Sequence, residues 1–168
     1  KSWVEFYSGR LDNYVINNNY KIVKGYDDWG LKDLDFLKKN GLLRHHKILD
    51  FGCGFGRCAV QLVPYLKKRN YYGLEISNAR LEVAKEKLKL NNIKLEDCVL
   101  IYNNSNSNIS NLFLNDEKFD YIYLNSVFTH TPYKDIDDIL KQFKKILNKN
   151  GKIIFSAHLK ERNPKIKK

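Results

Sequence analysis

Lys47-Ile48-Leu49-Asp50-Phe51-Gly52-Cys53-Gly54-Phe55-Gly56-Arg57 reads as a buried strand running directly into a glycine-rich turn. Ile48, Leu49 and Phe51 form a short apolar run, the pattern of a parallel strand covered by helices on both faces. Asp50 interrupts that run. A carboxylate at the carboxyl end of such a strand is costly to bury without donors, so it is expected to meet backbone N–H groups or a polar ligand. Gly52, Gly54 and Gly56 alternate after the strand, which permits positive φ and lets a small molecule approach the backbone with no Cβ in the way. A dinucleotide loop needs G-x-G-x-x-G. The third glycine here stands at a different offset, so no nicotinamide cofactor is expected.

Downstream, Arg57 to Lys68 is expected to form a helix with Leu62, Val63 and Leu66 inward and a kink or early break at Pro64. Asn70 to Leu74 is the next strand, and it ends at Glu75, nineteen residues after Gly56. An acidic residue at the end of the second strand of a βαβ unit can accept hydrogen bonds from both hydroxyls of a ribose. The competing reading is a glutamate that caps the next helix. Ser77 is expected to N-cap that helix, Asn78 to Lys89, whose Leu81, Ala84 and Leu88 recur at helical spacing.

Asp50-x-Gly52-x-Gly54-x-Gly56, with Glu75 at this distance, resembles the first two motifs of the class I methyltransferases that use S-adenosylmethionine (SAM). The resemblance implies that Asp50, Gly52, Cys53, Gly54 and Gly56 hold the methionine part of the cofactor, with Glu75 and Ile76 at its ribose. Family members commonly carry an acidic residue for the adenine amino group after the third strand. Here the strand Cys98 to Tyr102 opens into a polar loop, and Asn103, Asn104 and Ser105 are its candidates, with none singled out. Phe119 to Leu124 is the next strand, and Asn125-Ser126-Val127-Phe128-Thr129-His130-Thr131-Pro132 at its carboxyl end faces the ligand crevice by the switch-point rule. This loop resembles the family's fourth motif and adds Asn125 and Ser126 to the cofactor set. Enzymes that methylate base amino groups usually show Asn-Pro-Pro-aromatic at this point. The sequence from Ser126 to His130 is closer to the version common among small-molecule methyltransferases.

Thr131 and Pro132 are expected to open a helix with Ile136, Ile139, Leu140, Phe143 and Leu147 on one face, ended by Asn150-Gly151 before a fifth strand, Lys152 to Ala157. Strands alternating with helices predict an α/β, doubly wound, mostly parallel sheet. The resemblance implies the strand order 3-2-1-4-5 followed by an antiparallel hairpin, which is expected to be missing here, either trimmed away or replaced by another segment over the edge of the fifth strand. Ahead of the first strand, Trp3 to Tyr20 is a lid candidate whose Phe6, Tyr7, Leu11, Tyr14 and Val15 could form one helical stripe. Leu31, Leu34 and Leu37 with the closing Gly41 predict a short amphipathic helix. Segments in this position often fold over the cofactor in the family resembled, which makes Lys24, Gly25 and Trp29 further candidate contacts.

Composition bounds the rest. A chain of 168 residues that is 43% hydrophobic and 13% aromatic is expected to be one globular domain. Residues 1–45 are read as an N-terminal helical or lid segment, 46–158 as the core and 159–168 as a basic tail. There is no methionine and the chain begins at Lys1, so a trimmed segment of a longer product is expected. Neither a membrane span nor a leader is apparent, and a cytoplasmic location is expected. Cys53, Cys58 and Cys98 lack C-x-x-C spacing and read as small hydrophobes, and no metal site is expected. The net charge of +11 is spread over helix ends and solvent faces except in the tail, which favours solvated lysines over a nucleic-acid footprint.

Together these readings favour methyl transfer from SAM to a small molecule, with an oxygen of a sugar or metabolite as a candidate acceptor. The alternatives are an RNA methyltransferase exploiting the basic surface and a non-catalytic SAM-binding module of a larger protein or homo-oligomer. If a general base is used, His130 is the candidate, because histidine as a residue type titrates near neutrality. The competing reading is a structural histidine. His158 is a weaker second candidate.

Overall fold

The computed structural model describes residues 3–17, 26–104, 109–113 and 117–157. Its elements run α1 (Trp3–Asn17), α2 (Tyr26–Lys39), β1 (Ile48–Phe51), α3 (Ala59–Tyr65), β2 (Tyr71–Glu75), α4 (Asn78–Leu90), β3 (Val99–Tyr102), β4 (Phe119–Leu124), α5 (Tyr133–Ile146) and β5 (Leu147–Phe155). The five strands form one sheet of order β3-β2-β1-β4-β5, and every neighbouring pair is parallel. The expected doubly wound order is therefore present.

Two apolar layers sandwich the sheet. One joins Leu37, Leu62, Leu88 and Tyr71; the other joins Leu49, Phe119, Ile122, Leu124 and Phe143. β1 contributes Ile48 to the first layer and Leu49 to the second, as alternation along a strand requires. A strand buried on both faces reads as a continuous apolar run, which is why β1, β2 and β4 were legible. In α3, Pro64 lies one residue before the last helical position, so the helix stops early. Ser77 caps α4 as expected, its hydroxyl accepting from the Arg80 amide at 3.2 Å.

Three local expectations are corrected. α1 is helical, but its buried stripe runs through Ser8, Leu11 and Val15, while Phe6 and Tyr14 face solvent. Thr131 does not cap α5: its hydroxyl donates to the Val127 carbonyl at 3.0 Å, and Pro132 stands at the N-cap with no side-chain bond. Asn150-Gly151 does not end α5 either. The helix gives way at Leu147, and the pair lies in the irregular stretch of β5 where register jumps from Phe119↔Leu147 to Tyr121↔Lys152. A β-bulge absorbs the extra residues there. Among the described residues no helix is long and apolar enough to cross a membrane.

Candidate active site

The carboxyl ends of β1, β2 and β4 meet at one cavity of about 330 Å³, within the usual range for small-molecule sites. Its floor is the turn after β1, where Gly52, Gly54 and Gly56 have φ of 79°, 56° and 74°. The Gly52 and Cys53 amides both donate to the Leu74 carbonyl, pinning the turn to β2. A Cβ on Gly52 would stand 2.6 Å from Val127 Cγ2, and one on Gly56 would stand 3.0 Å from Ala84 Cβ. A Cβ on Gly54 would meet nothing closer than 3.9 Å, because that position opens on the cavity. This is a cradle that a side chain would fill.

Glu75 is 3% exposed at the end of β2. Its Oε1 accepts from the Ile76 and Ser77 amides at 2.8 and 3.0 Å, and its Oε2 accepts from the Gly54 amide at 2.8 Å. The carboxylate thus organises the start of α4 and the glycine turn together, so both sequence readings of this residue describe part of its work. Burial pushes its carboxyl above the ordinary range, opposed by these amides and by Arg80. Two carboxylate oxygens offer about four acceptor sites. Three are used here, leaving Oε2 free to accept from a ligand hydroxyl.

Asp50 meets a side chain rather than the expected backbone amides. The Tyr71 hydroxyl donates to its Oδ2 at 2.7 Å, and burial pushes its carboxyl up to about 7. A raised pKa means that the folded chain holds this proton more tightly than the unfolded chain does. The resulting stability is complete below pH 3.8, falls as pH rises through that window, and is lost above about 7. Asp50→Asn keeps an acceptor for Tyr71 but cannot titrate. Its stability relative to wild type is expected to rise by roughly 2 kcal/mol between pH 5 and pH 8, an order-of-magnitude figure. Urea unfolding at the two pH values checks it, and equal differences at both would contradict the buried, raised carboxyl.

A residue that the sequence reading missed ties the site together. Asp33, on α2, accepts from the Tyr123 hydroxyl at 2.8 Å and Asn125 Nδ2 at 3.0 Å through Oδ1. Its Oδ2 pairs with Arg57 Nε at 3.0 Å and accepts from Cys58 Sγ at 3.2 Å. One carboxylate therefore fixes β4, the loop after it, and the residues after the glycine turn. The signal was available as spacing: Gly30, Asp33 and Leu37 share one helical face, and the two neighbours are buried. Gly30 lets α2 approach so closely that a Cβ there would lie 2.5 Å from the Arg57 carbonyl oxygen.

α1 forms the roof, with Val4, Tyr7 and Leu11 lining the cavity. Asp12 anchors it, accepting from Ser77 Oγ at 2.6 Å and from the Ala79 amide at 3.0 Å, so a side chain of the roof caps α4. Across the cavity, His130 lines the wall beside Thr131, and its ring stacks on Tyr7 with centroids 6.1 Å apart.

Of the candidate residues, the structure brings Asp50, Gly52, Cys53, Gly54, Glu75, Ile76, Asn125, Ser126 and His130 to this cavity. Gly56 supports the turn against α4. Asn103 stands beside Glu75, its amide donating to the Glu75 carbonyl, but neither it nor Asn104 lines the cavity. Trp29 does not line the cavity: it is 62% exposed, with Lys32 over its ring. Thr129 and Tyr133 also lie off the wall. Lys24, Gly25, Ser105, His158 and the basic tail lie outside the described residues. Ser126 holds φ of 62°, a strained value for a non-glycine residue, and its amide donates to Ser156 Oγ. Cys53 and Cys58 are buried thiols pushed up by that burial, not reactive thiolates. Among the described residues no group of His, Cys, Asp or Glu is arranged to hold a metal ion.

A parallel sheet of this order, with a glycine cradle at β1 and a buried acid at the end of β2, defines the class I SAM-dependent methyltransferase fold. A family model described as a methyltransferase domain matches residues 49–153, and the chain belongs to that family. Ubiquinone biosynthesis O-methyltransferase of Pelagibacter ubique is 30% identical over 129 residues, 77% of this chain and 48% of the relative. Ribosomal protein L11 methyltransferase of Fusobacterium nucleatum is 30% identical over 132 residues, 79% of this chain and 36% of the relative. Among solved structures, magnesium protoporphyrin IX methyltransferase from Synechocystis with bound SAM superposes with a TM-score of 0.66 at 14% identity, covering 88% of this chain and 74% of that one. The chain spans less than half the length of either of these two curated relatives.

Proposed function

We propose that this domain binds SAM in the cavity above the glycine turn and transfers its methyl group to a small-molecule acceptor, with an oxygen of a sugar or metabolite as the leading class. The observation that carries the reading is the cradle itself: Gly54 opens on the cavity directly beside a buried carboxylate that retains acceptor capacity toward it. When bound, SAM supplies an activated methyl on a sulfonium. The chain's own work is then to orient and to exclude water. Glu75 Oε2 would accept from a ribose hydroxyl, and Gly52 to Gly56 would hold the methionine end. The roof of Val4, Tyr7 and Leu11 would keep water out. His130, at the wall, is the group positioned to take a proton from an acceptor hydroxyl.

The absence of prolines between Asn125 and Phe128 supports a small acceptor over a nucleic-acid base. The Pelagibacter relative, an O-methyltransferase of ubiquinone biosynthesis by name, is consistent with this class. SAM bound with no S-adenosylhomocysteine (SAH) released from any small acceptor would instead favour the non-catalytic module, and release only with RNA would favour the macromolecular reading.

Glu75→Gln tests the cofactor assignment. It keeps one acceptor oxygen and the side-chain volume, but it loses the charge and turns an NH2 donor toward the Gly54 amide or toward the Ile76 and Ser77 amides, so the acceptor for ribose and part of the support of the turn are lost together, about 1.5 to 3 kcal/mol of binding. SAH affinity is expected to fall by roughly tenfold to a hundredfold by calorimetry. An unchanged Kd in a variant with a wild-type melting profile would remove Glu75 from the site.

A further inference from the structure

Arg80 is the basic side chain of the cavity for which no ion pair is found among the described residues. Arg57 pairs with Asp33 at 3.0 Å, whereas Arg80 lines the cavity with no ion pair among the described residues. Arg80 sits on the first turn of α4, and its guanidinium lies over the Phe55 ring at 4.9 Å. Glu75 is close enough to feel its charge, but no hydrogen bond or ion pair between the two side chains is found among the described residues. Val4, Leu11 and Phe55 are among the residues that line the same cavity. A guanidinium that lines a cavity without an ion pair matches a carboxylate or phosphate better than any other partner.

We propose that Arg80 clamps an anionic group, a carboxylate or a phosphate, carried by the methyl acceptor. This rests on the proposed SAM site, since it assigns the cofactor to the cradle and the acceptor to the space under α1. Phe55 fixes the plane of the guanidinium, so the fork is organised before the ligand arrives. The placement favours the acceptor over the cofactor's own carboxylate. Arg80 belongs to the ribose side of the cavity, beside Glu75 and under the roof, whereas the methionine end belongs to the glycine turn and Asp50.

The test uses the SAH-saturated protein, with benzoate and methyl phosphate as anionic probes and benzamide as the neutral match, in wild type and Arg80→Gln. Both anions are expected to bind saturably to wild type and about ten- to hundredfold more weakly to the variant, the loss of one charge-assisted pair. Benzamide should not distinguish the two proteins. Affinities for SAH and for 5′-methylthioadenosine, which lacks the amino-acid end, are expected to stay within about threefold in the variant. The melting temperature should fall by no more than about 1 to 4 °C, the loss of one cation–π contact with Phe55. Anion binding that is absent, or equal in both proteins, overturns the proposal. A tenfold loss for SAH with none for methylthioadenosine overturns it too, by giving Arg80 to the cofactor. If wild type binds no SAH, the cofactor reading fails instead, and Arg80-dependent anion binding by the free protein would still uphold the clamp.

Discussion

Replacing Asp33 by alanine is expected to destabilise the domain by about 3 to 5 kcal/mol, the usual cost of breaking a buried ion pair by removing one partner. The Asp33 and Arg57 side chains are only 13% and 20% exposed, so water cannot replace the lost carboxylate at full strength. The loss also strands the Tyr123 hydroxyl and Asn125 Nδ2, which donate to the same Oδ1. For a chain of this size the melting temperature should fall by roughly 6 to 20 °C. The double variant Asp33→Ala/Arg57→Met removes the stranded charge and should recover part of that loss. Calorimetric melting of the three proteins checks both statements. A single variant that melts within a degree of wild type would mean that Asp33 does not hold the site together.

The second large effect is on binding, at Gly54. Valine there is expected to leave a folded protein that binds no SAH at concentrations saturating wild type, a loss of more than about 4 kcal/mol, or a thousandfold. Gly54 has φ of 56°, and a β-branched residue pays roughly 1 to 2 kcal/mol to occupy that region. This is tolerable for the fold, since a Cβ at Gly54 meets no atom closer than 3.9 Å. The isopropyl group then stands where the ligand should lie. Gly56→Val would be ambiguous by comparison, because its Cβ runs into Ala84 at 3.0 Å and the fold itself would suffer. Cooperative melting of Gly54→Val with no calorimetric SAH signal is the expected pair of results. Wild-type affinity in this variant would remove the glycine turn from the cofactor site.

What the sequence made legible follows from how local each signal is. β1, β2 and β4 announce themselves as apolar runs, and the glycine turn and Glu75 sit immediately after two of them. Asp33 was harder. Its partners Tyr123 and Asn125 lie 90 and 92 residues away in the chain, so its role comes from tertiary packing of α2 on β4. Asp12 is the same case, capping α4 from 65 residues upstream. Nothing local marks Arg80 in the sequence, because its place on the cavity wall, over Phe55, comes from the fold. The errors have equally physical causes. Thr131 has the chemistry of a cap, but its hydroxyl found a nearer acceptor in Val127, and the Asn150-Gly151 pair that ends helices also suits the irregular stretch of an edge strand. The stripe expected in α1 holds at Leu11 and Val15 but not at Phe6 and Tyr14, because the buried face runs through Ser8 instead.

The central claim is that the cavity takes SAM and not a dinucleotide, and calorimetric titration of the wild-type protein with SAH and, separately, with NAD tests it most directly. The turn after β1 has glycines at alternate positions, each with positive φ, and lacks the G-x-G-x-x-G offset that seats a pyrophosphate on a helix N-terminus. Saturable SAH binding at one site per chain, with no saturable heat from NAD at the same concentrations, is the expected result. Saturable NAD binding with SAH silent would contradict it.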